Sequence, residues 1–171
     1  MTNLETKTLQ SDFTVTVSED VNAPMNIPGT IVLCGDKFRL EMLDLEAAYD
    51  GQTMYMYSGQ TDELTMTNPA LQELIETNPF LYAKTMVDVC NVAERTDGEQ
   101  TIVTLTPFNQ AAGINRFVLR LRTADLMPLQ LEIKEGNKIS LLKMKEPKFV
   151  SDPQQYVLTP GKDTFVNDMR L

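Results

Sequence analysis

The residues best suited to chemistry are Cys34 and Cys90, a tyrosine group at Tyr49, Tyr55 and Tyr57, and the carboxylate pairs Glu19-Asp20 and Asp62-Glu63. A cysteine nucleophile needs an activating base, and the chain contains no histidine. The commonest metal ligand and the usual proton shuttle near neutral pH are missing with it. Two cysteines without histidine do not make a usual zinc site, so no metal and no cofactor are expected. Cys34 and Cys90 stand far apart, and either pair in an oxidising compartment or stay as buried thiols. The carboxylate pairs fall at strand edges or turns and read as solvated charges. There is no Gly-rich phosphate loop and no Gly-x-Ser-x-Gly elbow. The tyrosines have no basic patch around them that would support stacking on nucleic acid. No catalytic residue emerges, and the chain is expected to bind rather than to react.

Bulk composition points the same way. The chain has 171 residues, 42% of them hydrophobic, enough for one globular domain spanning 1–171. A net charge of −9 would repel nucleic acid and anionic headgroups alike. No apolar run approaches the ~20 residues of a membrane span, so the protein is not expected to be membrane-embedded. Met1 to Glu5 has neither the basic nor the apolar region of a signal peptide, although one removed earlier is compatible with this start. Ten methionines and no tryptophan leave two options: Met fills gaps in a core, or it lines a surface that accepts more than one shape.

What positions these residues is mostly strand. Phe13 to Val17 alternates, with Phe13, Val15 and Val17 on one face. Phe38, Leu40 and Met42 share a face, with Arg39 and Glu41 outward, and Met54 pairs with Met56 across Thr53 to Tyr57. Thr101 to Leu105, Arg116 to Arg122, Pro128 to Lys134 and Lys138 to Lys145 continue the pattern; Phe117, Leu119 and Leu121 face in, and Arg116, Arg120 and Arg122 face out. In/out alternation of this kind implies an antiparallel sheet with one solvated face. Turn signals at Asp50-Gly51, Asp97-Gly98 and Gly136-Asn137 make it a meander.

One stretch breaks the period. Asn68-Pro69 and Asn78-Pro79 each read as a cap followed by proline at the first helical position. Leu71, Leu74 and Ile75 then share a helical face, followed by Phe80 and Leu81. Two such short helices are unstable alone and must lie on the apolar face of the sheet.

With these elements in order, the chain resembles the periplasmic outer-membrane lipoprotein carriers, the LolA-like proteins. The resemblance rests on Phe13-Thr14, on Gly29 to Leu33 followed by Lys37 to Leu40, and on the hairpin Tyr49-Asp50-Gly51-Gln52-Thr53-Met54-Tyr55-Met56-Tyr57. It continues through Asn78-Pro79-Phe80-Leu81, Val103 to Pro107, Tyr156 to Thr159, Pro160-Gly161 and Val166-Asn167-Asp168. It implies an α+β, mainly β fold: an incomplete antiparallel barrel, or strongly curved sheet, with short helices as a lid (about 68–87) over its concave apolar face. It implies a periplasmic monomer that takes acylated lipoprotein cargo from an inner-membrane lipoprotein-releasing transporter and gives it to the outer membrane through an acceptor there. Phe13, Val15, Phe38, Leu40, Met54 and Met56 would bind acyl chains from the sheet side, and Leu71, Leu74, Ile75, Phe80 and Leu81 from the lid side. Phe38 matches an aromatic at the cavity mouth, and Phe80 a lid aromatic. A chain of roughly fifteen methylenes would gain on the order of 12 kcal/mol on burial. The same fold also serves envelope sensors that bind a regulatory protein, and carriers of other lipids such as glycolipids.

The sequence departs from the pattern at two places. The Arg-Pro that in the family precedes the Phe38 position, where the Arg ties the lid to the barrel, is replaced by Cys34-Gly35. Another residue must then secure the lid, or the lid is looser. The family's N-terminal helix is expected to be truncated here, since Met1 to Gln10 would cover only its end.

Overall fold

The computed structural model describes residues 7–20, 22–70, 73–74, 77–109, 113–151 and 156–170. Its strands are β1 (Thr8–Glu19), β2 (Met25–Cys34), β3 (Lys37–Met42), β4 (Leu45–Tyr49), β5 (Met54–Ser58), β6 (Glu63–Thr67), β7 (Cys90–Asp97), β8 (Gln100–Pro107), β9 (Ile114–Arg122), β10 (Pro128–Glu135), β11 (Lys138–Val150) and β12 (Phe165–Asp168). A helix α1 (Pro79–Thr85) and a 3-10 turn (Val87–Val89) precede β7. Among the described residues no helix is long and apolar enough to cross a membrane.

The strands form one curved sheet in the order β12-β6-β5-β4-β3-β2-β1-β11-β10-β9-β8-β7. Two meanders, β1 to β6 and β7 to β11, join where β1 pairs with β11, and the sheet stays open at β7 and β12. This order decides what covers each face. The chain leaves β6 near one edge and must reach β7 at the other, and the described part of the connection, Leu74 with α1, packs on the concave face. After β11, in the middle, it must return to β12 beside β6, and this path covers part of the convex face.

The convex face is therefore not wholly solvated, contrary to the alternation argument. Leu158 packs there on Ala48, Tyr55 and Leu64, all four buried. The outward parity of β4 to β6 is apolar because a second connection lies on it. β12 is a further exception to the antiparallel rule, running parallel to β6. Thr8 and Leu9, expected at the end of a helix, belong to β1, and Leu9 is fully buried. Met1 to Thr6 lie outside the described residues.

Tight reversals set the register. β2 and β3 are joined through Gly35-Asp36, where Gly35 takes φ +60°. Proline is held near −65°, so the family's proline has no place in this turn. At the β4–β5 loop, Asp50 accepts hydrogen bonds from the backbone N–H of Gln52 (2.9 Å) and Thr53 (2.8 Å). Burial alone would raise its pKa, but these bonds outweigh it and hold the carboxyl below its usual range.

The concave core runs along this register. Phe13 faces Gly29 across β1 and β2, and a Cβ at Gly29 would come within 2.4 Å of the Phe13 ring. Glycine is needed there because the ring lies on the backbone. Phe38 stands opposite Tyr49, with ring centroids 6.2 Å apart. Both Cys34 and Cys90 are free thiols, and burial pushes the Cys90 thiol up, away from the reactive thiolate.

Candidate functional site: a cavity between helix and sheet

The lid is held by its caps and its apolar side. The start of the first short helix expected after Asn68-Pro69 lies outside the described residues. Glu73 accepts a hydrogen bond from the Ala70 N–H at 2.8 Å. The second starts where expected. Asn78 Oδ1 accepts from the backbone N–H of Phe80 (3.1 Å) and Leu81 (3.2 Å). Asn78 is only 2% exposed, so these donors have no ready access to water. Asn78→Ala is therefore expected to lower stability by about 2 kcal/mol, above the usual cost of a lost cap, because two buried N–H groups lose their partner. Chemical denaturation of the variant checks this.

Phe80, Leu81 and Leu74 are buried against the sheet core, and Ala83 packs with Cys90, Leu105, Ile114 and Phe117. Lys84 Nζ lies 3.9 Å from Asp36 Oδ1, linking the end of α1 to the β2–β3 turn. Both are half exposed, so the pair adds little stability, about 0–1 kcal/mol. It ties lid to sheet beside the very turn where Cys34-Gly35 replaces Arg-Pro. The lid is thus anchored mainly by apolar packing, and a weak ion pair stands near where the family has its arginine.

Beneath this lid is a cavity of about 270 Å³, lined by Phe80 and Ala83 on α1, Glu94 on β7, Thr101 and Val103 on β8, Leu119 and Leu121 on β9, and Leu126 and Pro128 beyond it. The register explains the lining. Glu94 pairs with Val103 and Val103 with Leu119, so the three form a row across the concave face from the open edge inward. Thr101 pairs with Leu121 in the next row. A molecule in liquid water occupies ~30 Å³, so about nine methylene-sized groups fit in this space. Two other concavities, of about 390 and 400 Å³, are lined in part by charged side chains, Arg39 and Glu46 in one, Asp12, Glu41 and Lys145 in the other. They suit hydrocarbon less well.

The structure distributes the expected acyl-binding residues over several environments. Phe13, Phe38 and Met54 are 1–3% exposed and form solid core, with Val15 and Leu40 partly buried beside them. Met56 shares the Met54 face but is 40% exposed at its far end. Leu74 and Leu81 lie in the same core under the lid. Phe80 joins the cavity. Leu71 and Ile75 lie outside the described residues. The cavity is thus built mostly from residues beyond that set: Val103, Leu119, Leu121, Leu126, Pro128, Ala83, Thr101 and Glu94. Their signal was present in the inward parity of Leu119 and Leu121 and in the Thr101 to Leu105 strand.

No protein-family model matches the chain, and no curated protein does. Solved structures do. An uncharacterized conserved protein from Thermus thermophilus matches with TM-score 0.63 at 18% identity, over 98% of this chain and 93% of that one. A chain of the Pseudomonas aeruginosa MucA/MucB complex matches with TM-score 0.54 at 15% identity, over 89% of this chain and 55% of that one. A LolA superfamily protein from Nitrosomonas europaea matches at 7% identity and TM-score 0.44, over 86% and 88%. At these identities the likeness concerns fold. A single curved sheet, open at both edges and crossed by a short helix on its concave side, is the architecture that the order of motifs implied.

Proposed function

We propose that this chain is a non-enzymatic periplasmic carrier that holds acyl chains of lipoproteins or lipids between α1 and the β7–β9 end of the sheet. In this role it works as a monomer, receives cargo from an inner-membrane lipoprotein-releasing transporter, and delivers it to the outer membrane or an acceptor there. The observation that carries the proposal is the cavity under the lid, walled by Phe80, Ala83, Val103, Leu119 and Leu121. Nine buried methylenes contribute about 7 kcal/mol, an affinity on the order of 10 µM. That is strong enough to keep a chain from water and weak enough to return it to a bilayer. It is also less than the gain of a fully buried fifteen-carbon chain. A modest lid, held by packing and one exposed ion pair, fits a carrier that must open.

The test is direct. Protein purified from a Gram-negative periplasm is denatured, extracted and analysed by mass spectrometry, and the delipidated protein is titrated with a fluorescent fatty acid. Stoichiometric acyl material or saturable uptake is expected. Consistent absence of both would sink the carrier reading.

A second reading has one observation behind it. The fold is shared with a chain of the MucA/MucB complex, so a regulatory-protein binding module is the alternative. The open edge strand β7, exposed along nearly its whole length, would offer such a partner unpaired backbone groups.

A further inference from the structure

We infer that the cavity takes a single acyl chain, and that it favours one whose head is cationic. The inference rests on the acyl-binding reading above and narrows its ligand. Volume limits the chain number. About 270 Å³ accommodates roughly nine methylene-sized groups, which is one medium chain and far from three long ones. With the lid closed, core packing fixes the walls. Leu119 and Leu121 are 7% and 9% exposed members of the main core, and Phe80 and Ala83 are 8% and 1% exposed on α1. A second chain would require α1 to leave the core that anchors it.

The register assigns the head. The row Glu94–Val103–Leu119 runs from the open edge of the sheet into the lid-covered interior. Glu94 is solvent-exposed and Leu119 is buried, so the polar end of a bound chain sits at Glu94 and its tail points towards Leu119. Glu94 is the charged residue of the lining, and the other polar member, Thr101, has its hydroxyl 3.1 Å from that of Thr123. The Glu94 carboxylate at the mouth repels an anionic head and attracts an ammonium. The pairing is exposed and therefore modest, a preference of about threefold.

Calorimetric titration of the full chain below the critical micelle concentration tests both parts. The ligands are decyltrimethylammonium and decanoate, with monopalmitoyl and tripalmitoyl lipopeptides as competitors. Each decyl ligand should bind with one-to-one stoichiometry, the cation about threefold tighter. Glu94→Gln, on an exposed edge strand where it leaves packing intact, should bring the two ligands to equal affinity. The two lipopeptides should compete within about threefold of each other, because only one chain of either is held. A tripalmitoyl lipopeptide that competes at least tenfold better than the monopalmitoyl one would overturn the single-chain inference while leaving the acyl-binding reading standing. A cation preference that survives in Glu94→Gln, or none in the native protein, would overturn the assignment of the head. Binding of neither decyl ligand nor lipopeptide would remove the acyl-binding reading itself.

Discussion

Phe38→Ala is expected to destabilise the fold by about 3–5 kcal/mol, the range for truncating a fully buried phenylalanine. Phe38 is 1% exposed, stands between Leu33 on β2 and Tyr49 on β4, and belongs to the core that also holds Leu74, Phe80 and Leu81 of the lid. Its loss opens a void under the lid and on the sheet together. Urea denaturation should show a lower midpoint at unchanged slope. A cost below about 1 kcal/mol would mean the site relaxes around the change, as a ring at an open mouth would. Phe38→Glu goes further: a carboxylate buried without a partner must be neutralised or expelled, so the soluble folded yield should collapse. Loss of lipid uptake in that variant would therefore report on folding rather than on the ligand contact.

Val103→Phe is expected to weaken fluorescent fatty-acid binding by at least tenfold while changing stability by less than about 1.5 kcal/mol. Val103 is central to the row that lines the cavity, partly buried, and in contact with two core clusters. A larger ring there enters the cavity space instead of forcing apart a closed core. The two measurements separate the roles of the two residues. Phe38 should change the denaturation midpoint most, and Val103 the binding isotherm. Unchanged uptake by a folded Val103→Phe protein would place the acyl chain elsewhere.

Several features of this fold are legible in the residues because local chemistry decides them. Alternation placed Phe13, Phe38, Leu119 and Leu121 on one face, and each is buried on the concave side. Asn78-Pro79 marked the start of α1 because an Asn cap followed by proline has few other uses. What stayed hidden depends on contacts distant in sequence. The β3–β4 reversal uses Leu43-Asp44, with Leu43 at φ +55° and 76% exposed, so no glycine marks it and β4 escapes notice. β7 is an edge strand with polar residues on both faces and shows no apolar period. The apolar convex side of Tyr55 and Leu64 makes sense only once the return path to β12 is known. The cavity was hidden for the same reason. Periodicity places an apolar side chain on a face but does not say whether a neighbour fills the space above it. Above Phe38 the space is filled; above Val103 and Leu119 it is not.

The central claim is that hydrocarbon lies between α1 and β7–β9. A diazirine-bearing fatty acid, bound to the delipidated protein, irradiated and mapped by peptide mass spectrometry, tests it most directly. Crosslinks are expected within Phe80 to Ala83, at Val103, and at Leu119 to Leu121. Crosslinks concentrated instead on the convex strap around Val157 to Gly161, or scattered over the surface in proportion to exposure, would contradict it.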